Sequence, residues 1–346
     1  MSTMAKDRTQ VTVGVDTHLD THVAVALDGI GRVLAVRSFD ADPAGYRGLL
    51  TWSRSLGQVQ AFGVEGTGCY GAGLARSLHR AGHQVIEVDR PDRRTRRARG
   101  KSDPVDAEAA ARAVLAGTAT GTPKTRDGDV EAIRALRVAR RSAVRTRIQV
   151  ANQIHALLIS APTNLRQSMR GLSTPQLIVT AAALRPGPDL DPATATKHAL
   201  RQLARRHQDL NSDIEMLDDL LGQLVPRVCP QLLEIFGVGI DVAGTLLVTA
   251  GDNPERLHSD PAFANLCGVA PLPANSGKTT GRHRLNRGGD RHANAALYRI
   301  VLCRLRYDPT TRAYVERRTK EGMTKPEIIR CLKRYVSREI RHALIS

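Results

Sequence analysis

Aromatic side chains are scarce in this 346-residue chain, which has one Trp, six Tyr and four Phe, 3% of the total. Modules that read single strands stack bases on exposed rings, so this scarcity argues against them and toward recognition of a duplex or a backbone. Cysteine is sparse too. Cys69, Cys229, Cys267, Cys303 and Cys331 lie far apart with no CxxC pair, which argues against a zinc site or a disulfide framework and leaves small buried hydrophobes. No run nears the ~18 apolar residues of a membrane-spanning helix. The opening MSTMAKDRTQ has no apolar core of a secretion signal, so a cytoplasmic, nucleoid-associated protein is expected. Acids are in deficit: 34 Asp and Glu face 51 Lys and Arg, a net charge of +17. With 41% hydrophobic residues the chain can build true cores, so a disordered basic tail is excluded and a polyanionic partner is expected. Arginine, 43 residues against 8 lysines, is the better bidentate phosphate ligand.

At about 150 residues per domain, the length suggests two or three domains. Val11–Asp16, His22–Leu27 and Val33–Phe39 read as three strands joined by polar or glycine turns. A helix follows over Pro43–Leu56, then a strand at Ala61–Glu65, a helix at Ala72–Ala81, a strand at Gln84–Asp89 and a helix over Pro104–Ala116. Three antiparallel strands followed by alternating helices and strands is the order of the ribonuclease H-like fold. Actin-like and sugar-kinase ATPases begin the same way. The middle of the chain is helical, with Val144, Ile148, Ala151, Ile154 and Leu158 on one face. Beyond a break at Arg185–Asp189, Leu203, Leu210, Leu217 and Leu224 recur every seventh residue, with Ile214 and Leu221 between them. This predicts a coiled-coil arm of about three heptads ended by Pro226, or else an amphipathic helix packed within one domain. The segment Ile235–Gly239 suggests a glycine turn feeding a helix N-terminus, the way helix-hairpin-helix modules offer N–H groups to a phosphate, or a plain tight turn. From Lys278 to Arg306 there are eight Arg or Lys residues against one acid, Asp290, and a further basic set spans Arg317–Arg341. The excess of one sign favours a phosphate-contacting surface.

In so basic a chain the placement of acids is informative. Asp16 ends the first strand, Glu65 ends the fourth, and Asp103 and Asp106 share one face at the start of a helix. On a ribonuclease H-like sheet these four converge. Convergent carboxylates repel unless cations hold them, and all-oxygen donors suit Mg²⁺ or Mn²⁺. Two such ions stabilise the attacking and leaving oxygens of a phosphodiester exchange. Taken singly, Asp103 also reads as a helix N-cap and Asp106 as a dipole partner.

The segments GVDTHLDTH (Gly14–His22), VEGTGCYG (Val64–Gly71) and KSDPVDAEA (Lys101–Ala109) resemble the DEDD-type transposases of the insertion sequence 110 family, recombinases guided by a bridge RNA. The stretch from Gly268 to Tyr298 is similar to that family's second domain. The resemblance implies an α/β plus α protein in three parts. These are a RuvC-like catalytic domain (1–125), a helical coiled-coil region (126–227) and a mostly helical C-terminal transposase domain (228–346). It implies that Asp16, Glu65, Asp103 and Asp106 bind Mg²⁺ or Mn²⁺ and that Ser276 is the nucleophile. Nucleic-acid contacts are expected at Arg93, Arg94, Arg96, Arg97, Lys278, Arg282, Arg284, Arg287 and Arg291. The implied partners are donor DNA, target DNA, a guide RNA and further copies of the chain, a tetramer of paired dimers. No general base stands beside Ser276 in sequence, and Thr279 and Thr280 are neighbouring hydroxyls. Two other readings remain: a junction-resolving nuclease that uses the four acids without serine chemistry, and a non-catalytic nucleic-acid-binding protein. The basic balance disfavours an ATPase.

Overall fold

Runs of β-branched and apolar residues form β1 (Gln10–Thr17), β2 (Thr21–Asp28) and β3 (Val33–Asp40) of the computed structural model, which describes residues 9–88, 102–273, 283–286 and 288–346. β4 (Gln58–Glu65) and β5 (Val85–Val88) complete a sheet of order β3-β2-β1-β4-β5. β1 and β3 pair antiparallel with β2, whereas β4 runs parallel to both β1 and β5. This is the topology expected of a ribonuclease H-like domain.

β1 is central and buried on both faces, which is why it reads as a continuous apolar run rather than an alternating one. On one face α1 (Pro43–Leu56) and α2 (Ala72–Arg80) cover it, with Leu49, Leu74 and Leu78 packed on Val11, Val13 and Phe62. Asp42 caps α1 by accepting from the Gly45 amide at 2.7 Å. On the other face lies α3 (Asp103–Leu115), whose Ala107 and Ala111 pack against Val25 and Leu27. The described chain groups into two units, one of residues up to Gly128 with Ala250–Arg256, the other of Asp129–Thr249 with Leu257–Ser346. The short return segment is tied into the first unit by Asn253, whose amide donates to the Pro123 carbonyl at 3.0 Å.

The second unit is helical apart from one ribbon. Its long helices α4 (Asp129–Ile159) and α7 (Pro192–Val228) run against each other. α5 (Thr163–Ser168) and α6 (Thr174–Ala182) close one end around Val150, Ile154, Leu177 and Leu200. The chain continues through α8 (Gln231–Glu234), α9 (Ile240–Ala250), α10 (Asp260–Leu266), a ribbon of β6 (Pro271–Pro273) and β7 (His283–Leu285), then α11 (Arg291–Tyr307), α12 (Pro309–Lys320) and α13 (Lys325–Ile345).

Several details depart from the sequence reading. The leucine repeat lies on α7, but the buried positions are Leu200, Ala204, Ile214, Leu217, Leu221 and Val225, while Leu203, Leu210 and Leu224 are half-buried. The face turned inward follows the 3.6-residue period and is occupied within the chain by α4. On α4, Val150 and Ile154 are buried but Ile148 is 56% exposed. Pro226 does not stop α7, which continues to Val228 because proline in the final turn forfeits only one amide bond. The glycine turn at Gly237, with φ near 90°, does feed α9.

Candidate functional site

The site in the first unit depends on a close approach of backbones. Gly14 on β1 and Gly63 on β4 are register partners. A Cβ on Gly14 would lie 2.0 Å from the Ala107 carbonyl oxygen, and one on Gly63 2.9 Å from the Ala110 oxygen. The two glycines thus form a floor onto which the alanine face of α3 sinks. Asp16 and Glu65 lie two residues further along their strands, so strand alternation puts them on the same sheet face as α3. Thr17 ties the strand ends together by donating to the Glu65 carbonyl at 2.9 Å.

The N-terminus of α3 then delivers the other acids. Ser102 is the cap and Asp103 the first helical residue, so Asp103 is not the N-cap that one reading made it. Its carboxylate instead lies 3.3 Å from His18 Nε2 (Oδ1), and Asp16 Oδ2 lies 3.2 Å from the same nitrogen. One donor atom from each of Asp16, His18 and Asp103 falls within 4.8 Å of the others. Asp106, one turn along α3, is 4% exposed. Burial pushes the Asp16 carboxyl above its usual range, His18 pulls it back, and the charges of Asp106 and Asp103 push it up again. Asp106 and Glu65 lie outside the three-residue donor cluster.

This donor set fits a divalent cation: clustered carboxylates, one of them buried and resisting its own charge, with an open imidazole beside them. A cation would offset the burial and the repulsion that together raise Asp16. His18 escaped the sequence reading, although its position two residues past a strand-end aspartate was the available signal. His22, in the same motif, is different. It is buried and stacked on Tyr46 at 5.7 Å between ring centroids, so it belongs to the core.

Of the residues expected to serve in the C-terminal region, Arg284 is exposed on β7 and Arg291 exposed at the start of α11. Ser276, Thr279, Thr280, Lys278, Arg282, Arg287, Arg93, Arg94, Arg96 and Arg97 lie outside the described residues. Asp290 caps α11, accepting from the His292 amide at 2.7 Å, and its other oxygen accepts from the Thr249 hydroxyl at 3.1 Å.

Comparison with known proteins agrees with both regions. Residues 13–161 match the DEDD-type IS110 family model described as a transposase. Residues 229–316 match the model of the transposase IS116/IS110/IS902 family. The chain is 28% identical over 252 residues to the transposase for insertion sequence element IS1328 of Yersinia enterocolitica, covering 69% of this chain and 70% of that protein. It is 29% identical over 135 residues to the IS900 uncharacterized 42 kDa protein of Mycobacterium paratuberculosis, covering 38% of this chain and 34% of that one. It is 32% identical over 108 residues to the IS110 uncharacterized 43.6 kDa protein of Streptomyces coelicolor, 30% of this chain and 26% of that one. The match thus spans about a third of the IS900 protein and about a quarter of the IS110 protein. The first model covers the sheet and helix that carry the acids and the second covers the ribbon and its flanking helices, so the chain belongs to the IS110 family of transposases.

Proposed function

We propose that this protein cuts and rejoins DNA to move an insertion sequence between sites. The observation that carries this reading is the convergence of Asp16, Asp103 and His18, with Asp106 beside them, where α3 settles onto Gly14. Asp16, Asp103, Asp106 and Glu65 would hold Mg²⁺ or Mn²⁺, with His18 as a neighbouring nitrogen donor. Bound there, a divalent ion would supply charge stabilisation to the oxygens of a phosphodiester. The chain's own part is to fix the donors. The strand ends place Asp16 and Glu65, the helix places Asp103 and Asp106, and His18 bridges two carboxylates that would otherwise splay apart.

The remaining steps rest on the resemblance. Ser276 would attack the scissile phosphate as one deoxyribose oxygen departs, its proton passing to that oxygen, so the phosphoserine diester conserves the bond energy until the freed hydroxyl of a new strand displaces the serine. A guide RNA would select donor and target DNA, and a tetramer would hold the ends together. The functional division would follow 1–125, 126–227 and 228–346, with α7 as the arm.

The test is strand exchange between donor and target duplexes with Mg²⁺ and guide RNA. Asp16→Ala and Asp106→Ala should each abolish it while RNA and DNA still bind. Exchange at the wild-type rate by both variants would remove the metal site. Ser276→Ala should leave no protein–DNA adduct on a denaturing gel. Metal-dependent cleavage that persists in Ser276→Ala without an adduct would favour the nuclease reading.

A further inference from the structure

Beneath the β6–β7 ribbon, α13 helps to line a cavity of about 620 Å³. Arg284 of the ribbon and Arg330, Lys333 and Arg334 of α13 border it, against one carboxylate, Glu327. That carboxylate is already engaged: it accepts from the Thr324 amide at 2.9 Å as part of a capping box.

Lys333 is the unusual member. It is 7% exposed, yet among the described residues its ammonium makes no ion pair and one hydrogen bond, to Asn294 Oδ1 at 2.8 Å. Asn294 cannot turn to offer its amide nitrogen instead, because Nδ2 donates to the carbonyls of Gly268 at 2.8 Å and Cys267 at 3.2 Å. Those carbonyls belong to the turn that leads into β6. There the backbones of Gly268 and Gly289 come so close that a Cβ on Gly289 would lie 2.2 Å from the Gly268 nitrogen. A rigid frame therefore holds one neutral acceptor on the ammonium of a lysine that lines the cavity. Burial, with Arg330 adding to it, pushes the Lys333 ammonium below its usual range. A charge buried this way is disfavoured unless an anion completes it.

We propose that this cavity binds a nucleic-acid phosphodiester, with Lys333 as its buried donor and Arg284, Arg330 and Arg334 at its rim. An oxyanion supplies the missing counter-charge and the acceptors that Lys333 lacks. β6 and β7 flank residues 274–282 in the chain, so the phosphate site adjoins the two strands that carry that segment. The inference rests on the nucleic-acid reading above but not on the acid cluster.

The experiment measures binding of the full chain to a 30-base-pair DNA duplex and, separately, to a structured RNA hairpin, across a salt series. Removing one cation that neutralises a phosphate lowers the slope of log affinity against log salt by about 0.7–0.9. Lys333→Met keeps the stem and removes the charge. It should lower the slope by about one unit in one arm or both, with a thermal midpoint equal to or above that of the wild type. A lower slope in the DNA arm identifies a DNA phosphate, and one in the RNA arm an RNA phosphate. Unchanged slopes in both arms would overturn the proposal, and a lowered thermal midpoint with those slopes would make Lys333 a strut for Asn294. If Lys333→Met fails to fold, Arg330→Gln at the rim decides in the same way. A wild type that binds neither nucleic acid would instead defeat the proposed function itself.

Discussion

The two units enclose charge of opposite sign. In the first, Asp16 is enclosed on a sheet face beside Asp103, with the His18 ring within 3.3 Å of both. In the second, Lys333 is enclosed below a ribbon with a neutral amide for company. Elsewhere in the second unit, half-buried charges are paired. Arg137, Arg140 and Arg299 gather on Asp241, and Arg341 donates to Asp260 at 3.1 Å. On the readings proposed above, a divalent cation would settle the first place and a phosphate oxyanion the second.

The largest effect expected from breaking this contrast is on activity. Asp16→Ala or Asp106→Ala should lower strand exchange by on the order of 10³-fold or more, since each removes part of the hold on transition-state charge. For Asp16→Ala the thermal midpoint should stay level or rise, because the substitution relieves desolvation and repulsion. A large fall in midpoint with partial activity retained would mean these acids are structural.

Next come the glycines that bring the acids together. Gly14→Ala drives a methyl group to 2.0 Å from the Ala107 oxygen, a backbone atom that cannot move alone, so α3 must lift. Destabilisation of about 3 kcal/mol is expected, at the upper end for overpacking, together with loss of exchange as Asp103 and Asp106 retreat. At Gly63 the Val114 methyl lies at 2.6 Å and the Ala110 backbone oxygen at 2.9 Å, both looser than the 2.0 Å at Gly14, so Gly63→Ala should cost about 1–2 kcal/mol. Chemical denaturation of both variants checks the order. Equal costs would mean that the helix rests on the sheet less rigidly than these distances imply.

The placement of Asp16, Glu65, Asp103 and Asp106 at strand ends and in a helix's first turn was legible in the sequence, because there position alone determines direction. The five strands and three helices around them were legible for a related reason: short apolar runs between polar turns leave few alternatives. His18 was not, since its role depends on the 18–20 turn folding the ring back over Asp16, which no periodicity reports. The α7 leucines misled in their detail. A seven-residue repeat and a 3.6-residue stripe nearly coincide over a few turns, and only the partner helix shows which positions turn inward. Lys333 was hidden in a basic run, although a signal was present. It shares a face with Ser337, Ile340 and Leu344, all buried, so a lysine stands within an apolar stripe. Ser276 came from the family resemblance alone.

The smallest effect sharpens the comparison through a control aspartate. Asp241 is half-buried where Asp16 is buried, and Arg137 Nη1 lies 2.9 Å from one of its oxygens and Arg299 Nη1 2.7 Å from the other. Burial pushes its carboxyl upward, yet Arg137 and Arg299 outweigh burial and hold it below the ordinary 3.8. A carboxyl depressed by folding stabilises the protein above its unfolded value, and that contribution is lost as pH falls through the folded value. Asp241→Asn should therefore lower stability at neutral pH by about 1–2 kcal/mol, a modest figure because the pair is partly solvated. Three arginines would also be left facing one another. The deficit should shrink as the pH is taken below 3.8, because the wild type then loses the same charge. Thermal melts of the two proteins from neutral to acid pH measure it. A deficit that stays constant across that range would show that Asp241 acts through packing rather than charge, and the contrast with Asp16 would lose its electrostatic basis.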